Sequence, residues 1–80
     1  MKIPVIKILV EGYSMEELQQ AEDAIINEAT PTIAISGDDE GEQLTHAMAA
    51  IWIKHQMANK GVNFNNALRQ YTVRVRTSIS

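Results

Sequence analysis

Cysteine is missing from this 80-residue sequence, and so are several other features with which small proteins build sites. Without cysteine there is neither a disulfide framework nor a thiolate zinc site, so helix packing or oligomerisation must stabilise the fold. No apolar run approaches the roughly 20 residues that cross a bilayer. The glycines form no phosphate-binding motif, and no nucleophile signature is present. We therefore expect a cytoplasmic, non-catalytic protein that needs no cofactor and has no membrane partner.

Acidic residues are absent after Glu42, although the net charge is −3. All ten Asp and Glu residues lie between Glu11 and Glu42. The residues after Gln43 carry five cations instead: Lys54, Lys60, Arg69, Arg74 and Arg76. Such a split indicates that the halves fold onto each other, that copies associate, or that the basic half meets an anionic partner. Folding of the halves onto each other is the simplest of the three.

Start and stop signals predict four helices, at residues 3–11, 14–28, 39–60 and 64–78. Ser14 and Glu17 have the spacing of a capping box, in which each side chain accepts an N–H group that the helix leaves unpaired. Asp39 and Glu42 repeat this spacing, and Gly61 is a natural C-cap. The third helix is therefore the longest and should form the spine of the fold.

Three segments also have some strand character: residues 5–10, 32–36 and 71–79. Alternating β-branched and polar residues after Tyr71 are typical of a half-buried strand. Phe64, Leu68, Tyr71 and Val75 nevertheless follow helical spacing, and no Gly or Pro interrupts them. We predict one mostly α domain over residues 1–80, a small bundle of about four helices with a short extended segment at 32–36. An α+β arrangement with strands in these segments is the alternative.

The stretch SGDDEGEQLTH concentrates oxygen and nitrogen groups that suit a metal site or a catalytic site. Asp38, Asp39, Glu42 and His46 are the candidate ligands, and the last two lie one helical turn apart. The spacing fits neither an EF-hand loop nor the HExxH motif, and helix capping explains each acid. We predict no metal and no catalytic residue here. A contribution of Glu42 and His46 to a site shared with a partner is the remaining enzymatic alternative.

The long third helix is apolar on two sides. Leu44 and Ile51 lie on one stripe, which Trp52 extends, whereas Ile53 and Met57 lie on the opposite side. A helix of this kind is either buried centrally or shares one side with another chain. Few elements are available in so small a domain to cover both sides. We predict a non-catalytic module that binds itself or another protein through Trp52, Ile53 and Met57.

The basic C-terminal segment supports a second class of function, which is anion or nucleic-acid binding. On a helix, Arg69 and Arg76 project to one side and Arg74 to another. The interleaved aromatic residues of a single-strand binder are missing, and the acidic net charge opposes sequence-independent DNA binding. Pairing of these cations with the acidic half is the simpler interpretation. Arg69, Arg74 and Arg76 are therefore the alternative site, and nucleic acid is not the partner we expect.

Four stretches of the chain carry a resemblance: MKIPVIK, LVEGYS, GDDEGEQLTHAMAAIWI and ALRQYTVRVRTSI. Over nearly the whole length they are similar to a family of short bacterial proteins catalogued only as a domain of unknown function. The resemblance implies a stand-alone cytoplasmic protein and favours a helix for the C-terminal segment. It supplies no activity, ligand or catalytic residue.

Overall fold

Four α-helices make up the regular structure of the computed structural model, which describes residues 2–79 and the side chains of residues 2–77. The helices are α1 (Ile3–Gly12), α2 (Met15–Ile26), α3 (Glu40–Lys60) and α4 (Phe64–Ile79). The predicted mostly α bundle is confirmed. Residues 2–79 contain no strand, so the α+β alternative, with strands at 5–10, 32–36 or 71–79, is wrong.

Side-chain caps begin three of the helices, and the sequence predicts the caps of α2 and α3. The Ser14 hydroxyl accepts the Glu17 N–H at 3.1 Å, and the Glu17 carboxylate accepts the Ser14 N–H at 2.9 Å. The Asp39 carboxylate accepts the Glu42 N–H at 2.8 Å, and the Asn63 side chain caps α4 in the same way. Each cap satisfies an N–H group that the first helical turn leaves unpaired.

Left-handed residues end α2 and α3. Gly61 ends α3 with φ of 65°, as predicted. Glu28 follows α2 with φ of 59°, although this conformation favours glycine. The Ala29 N–H then donates to the Ala24 carbonyl at 2.7 Å, which closes a Schellman motif. This turn ends α2 at Ile26, two residues before the predicted boundary.

No side chain of α1 caps that helix, and α3 holds it at both ends instead. Lys2, at the N-cap, makes no side-chain cap hydrogen bond, and the last turn of α1 has no basic residue. The Lys2 N–H donates to His46 Nε2 at 2.8 Å, and Lys54 Nζ donates to the Val10 carbonyl at 3.0 Å. Both contacts span 44 residues, so α1 and α3 run side by side in the same direction. The Lys54 cation also suits the negative end of the α1 dipole.

The central position of α3 explains its two apolar sides. Its 21 residues extend about 31 Å at 1.5 Å per residue, which equals the longest extent of the molecule, 31 Å. It packs against each of the other three helices. Its fully buried apolar residues are mostly small and allow close helix approach: Ala47, Ala49, Ala50 and Ile53. Larger side chains from α1 and α2 fill the rest of the core: Ile6, Leu9, Val10, Leu18 and Ile25.

The linker between α2 and α3 folds back on the start of α3. Ile35 is buried in the core, and the Ser36 carbonyl lies 2.7 Å from His46 Nδ1. A Cβ atom at Gly37 would lie 2.8 Å from Gln43 Cγ and 2.9 Å from the Gln43 backbone nitrogen. Glycine is therefore required where the linker meets the helix.

Candidate interaction surface

His46 is fully buried, and both of its ring nitrogens are engaged. Because Nε2 accepts the Lys2 N–H, the ring proton lies on Nδ1 and is donated to the Ser36 carbonyl. A carboxylate oxygen of Glu42 lies 3.9 Å from Nε2. The imidazole therefore joins the start of α1, the linker and α3, and it contacts no solvent.

The acids of the SGDDEGEQLTH stretch surround the start of α3. Asp39 caps the helix, and Glu42 accepts the Asp38 N–H at 3.5 Å with the oxygen that does not face His46. These carboxylates suit the positive end of the α3 dipole. In the part of the chain that the structure describes, no group of three or more His, Asp and Glu side chains could hold a metal ion, and no pocket is present.

The three residues predicted to bind a partner lie in different environments. Trp52 is half-buried between α3 and α4, and Met57 is half-buried against the core. Ile53 is fully buried. The expectation that Ile53 lies on a spare apolar side of α3 therefore needs correction, because the core of a single chain already covers this side chain.

Trp52 forms a cluster with two side chains of α4. The Tyr71 ring is tilted by 53° to the Trp52 ring, with 5.7 Å between the centroids. The Arg74 guanidinium lies 5.8 Å from the Trp52 ring centroid, in a cation–π arrangement. Met48 lies one helical turn before Trp52 and is 48% exposed. We refer to Met48, Trp52, Tyr71 and Arg74 as the seam cluster.

The electrostatics of the seam cluster act on the Tyr71 phenol. Burial raises the pKa of Tyr71 above its ordinary value of 10.0, because the phenolate is less well solvated there. The positive charge of Arg74 opposes this rise, since it favours the phenolate. The phenol is therefore neutral at physiological pH and can donate a hydrogen bond.

The three arginines of the alternative site do not share one surface. Arg74 lies over Trp52, whereas Arg69 and Arg76 are exposed on the outward side of α4. Val73 lies between these two and is 55% exposed. Within the described residues, Arg69 and Arg76 form no ion pair or hydrogen bond, so they do not pair with the acidic half. We refer to Arg69, Val73 and Arg76 as the outer face of α4.

The sequence does not indicate the contact partners of His46 and Tyr71. The contact between His46 and Lys2 joins residues 44 positions apart, and no local pattern indicates it. Tyr71 falls on the apolar stripe of α4, so periodicity predicts its inward position but not its contact with Trp52. Separation along the chain, rather than residue type, hides such pairs.

Comparison with known proteins gives the family of the chain. Residues 1–80 match the family of unknown function DUF6952, and the protein belongs to that family. The resemblance found in the sequence is thereby confirmed, and the family description assigns no activity. Neither a curated protein nor a solved structure matches the chain. Among the helices of the described residues, none has the length and apolar character needed to cross a membrane.

Proposed function

We propose that the protein is a non-catalytic interaction module that binds another protein, or a second copy of itself, through the seam cluster. The composition and exposure of this cluster carry the proposal. Trp, Tyr and Arg are the residue types most enriched at the energetic centres of protein interfaces. Met48 is exposed beside them, and a flexible thioether adapts to irregular contacts. Trp52 is thus retained from the predicted site.

The way in which α4 packs supports this proposal. Among its described side chains, only Ala67 is buried. The Trp52 and Tyr71 rings are therefore in tilted contact near the surface rather than enclosed. Side chains that are already ordered lose little conformational freedom when a partner covers them, which favours binding.

Site-specific photo-crosslinking tests the seam cluster. A photoreactive amino acid at position 48 should give a cross-linked protein product in cells, because Met48 lies at the exposed edge of the cluster. Thr32, an exposed linker residue, is the matched control position and should give none. Ile53 is unsuitable as a probe position because it is buried. Absence of a product at position 48, or identical products at both positions, would contradict the proposal.

The proposal includes a cytoplasmic location in a bacterial cell, which the family resemblance implies. The cross-linking experiment is therefore designed for the cytoplasm of a bacterial host. Binding through an aromatic and apolar cluster should persist at high salt, because screening acts mainly on exposed charges.

Anion or nucleic-acid binding is a second candidate function, and one observation favours it. Arg69 and Arg76 are exposed on the same side of α4 without an acidic partner among the described residues. Binding of this kind weakens steeply as salt is added. Fluorescence anisotropy with DNA and RNA oligonucleotides should then show a salt-sensitive signal that the double variant Arg69→Gln/Arg76→Gln loses. A flat titration at low salt would eliminate this function.

A further inference from the structure

A second surface of the molecule carries charges that complement the outer face of α4. Glu16, Gln20 and Asp23 are exposed on α2, on the side opposite its buried residues. The Glu16 and Asp23 carboxylates form no hydrogen bond or ion pair within the described residues. We refer to Glu16, Gln20 and Asp23 as the outer face of α2. It is an acidic surface that has no basic counterpart among the described residues.

The two outer faces have the same spacing of charge. Glu16 and Asp23 are seven residues apart, as are Arg69 and Arg76. Seven residues are two helical turns, or about 10.5 Å along the axis. When the two faces meet, both charge pairs therefore come into register together, whether the helices run parallel or antiparallel. The middle residue of each face, Gln20 or Val73, is uncharged. Docking of the two faces therefore brings no like charges together.

These two faces point away from α3, against which both of their helices pack. Their charges are therefore exposed to solvent and accessible to counterparts on another molecule. We propose that copies of this chain associate by docking the outer face of α4 of one copy on the outer face of α2 of another. This contact uses a different surface from the seam cluster, so its failure would leave the proposed function of that cluster intact.

A second copy suits the outer face of α4 better than a polyanion does. The chain carries a net charge of −3, which repels a polyanion along its whole length but a second copy only through that copy's own charge of −3. A second copy supplies two carboxylates at the spacing of the two arginines. Contact between single helices buries less than the roughly 1,200 Å² of standard stable complexes, so the association should be reversible and salt-sensitive.

Charge reversal with rescue tests this association, measured by sedimentation velocity on the full chain at low salt. The wild type should form larger species as its concentration rises. Arg69→Glu/Arg76→Glu and Glu16→Lys/Asp23→Lys should each weaken association by about tenfold or more, because like charges then face each other. The variant with all four reversals should associate again, since it restores opposite charges with exchanged signs. Monomeric wild type, or absence of rescue, would overturn the inference.

Net charge needs a matched control. Lys7→Glu/Lys60→Glu changes the net charge as much as Arg69→Glu/Arg76→Glu does, but at exposed positions outside both faces. It should associate more strongly than the arginine variant, and equal loss by both would overturn the inference. Circular dichroism checks that each variant keeps its helices, and Arg69→Gln/Arg76→Gln replaces the reversal if α4 unfolds. Oligonucleotide binding that needs both arginines, without self-association of the wild type, would assign this face to a polyanion and overturn the inference.

Discussion

The side of α3 that faces α1 and the side that faces α4 are built by different means. α1 buries large aliphatic side chains such as Ile6 and Leu9, and both of its ends are hydrogen-bonded to α3 by His46 and Lys54. Within the described residues, α4 has one buried side chain, Ala67, and otherwise meets α3 mainly through partly buried residues. The α1 side therefore stabilises the fold, whereas the α4 side keeps polar and aromatic groups at the surface.

This difference bears on function. The groups that join α1 to α3 are already engaged in hydrogen bonds and core packing, so they are not available to a partner. The α4 side presents the seam cluster at one edge. On its outer face it presents two arginines that have no ion pair or hydrogen bond among the described residues. Substitutions on the α1 side should thus act on stability, and those on the α4 side mainly on binding.

The largest effect is expected at His46. His46→Ala removes the partner of the part-buried Lys2 N–H and of the Ser36 carbonyl, and it creates a cavity at a fully buried position. The free energy of unfolding should fall by about 3 kcal/mol or more. Chemical denaturation measures this free energy of unfolding. His55→Ala is the control, since His55 is exposed and bonds to the Asn59 side chain, and should cost about 0.5 kcal/mol or less. An equal decrease in the free energy of unfolding in both variants would refute the role of His46 in holding the start of α1.

A smaller effect is expected at the other end of α1. Lys54→Met keeps the aliphatic stem but removes the hydrogen bond to the Val10 carbonyl. The expected loss is about 1 kcal/mol, because a charged donor at a helix C-terminus is replaced by a thioether. Lys7→Met, at an exposed position of α1, is the matched control and should be nearly neutral. If Lys54→Met is as neutral as its control in thermal melts, α1 is not held at this end.

On the α4 side, Arg74→Gln should change little in stability. Loss of the cation–π contact with Trp52 should cost about 0.5–1 kcal/mol. Trp52 is the one tryptophan of the chain, so its fluorescence reports directly on the seam cluster. The emission should change in Arg74→Gln and remain unchanged in Arg69→Gln, which lies on the outer face. Identical spectra in both variants would show that Arg74 does not contact the ring in solution.

The smallest effect is the titration of Tyr71. Because burial raises the pKa of the folded phenol, its contribution to stability is full below about pH 10 and is lost as pH rises through the folded value. Ultraviolet absorbance of a Tyr13→Phe variant isolates Tyr71, since the chain has two tyrosines. The midpoint should lie higher in the folded than in the denaturant-unfolded protein. Arg74→Gln should raise it further, and equal midpoints in folded and unfolded protein would contradict the burial.

The helix boundaries were largely predictable from the sequence because their signals are local. The Ser14 and Glu17 pair, the Asp39 cap and the Gly61 stop each act within a few residues of the boundary that they set. α1 has Pro4 in its first turn but no side-chain cap, so its sequence favours a helix less clearly and leaves a strand as the alternative. Its caps come from His46 and Lys54, and local patterns cannot indicate contacts over 44 residues.

The candidate site was only partly predictable, for a related reason. Periodicity shows which sides of α3 are apolar, but it does not show which elements cover them. The sequence therefore predicts a surface position for Ile53, which the core in fact buries. The sequence assigns Trp52 to protein binding and Arg74 to the alternative of anion binding. In the structure these two side chains contact each other between α3 and α4.

Amide hydrogen exchange of the wild type at low salt is the most direct test, measured in dilute and in concentrated protein. It shows whether α1 is stably packed within one chain and whether a partner covers α4. We expect the amides of α1 to be strongly protected at both concentrations. Amides of α4 should exchange faster in dilute protein and become more protected as concentration rises. Protection of α4 equal to that of α1 in dilute protein, or independent of concentration, would contradict this account.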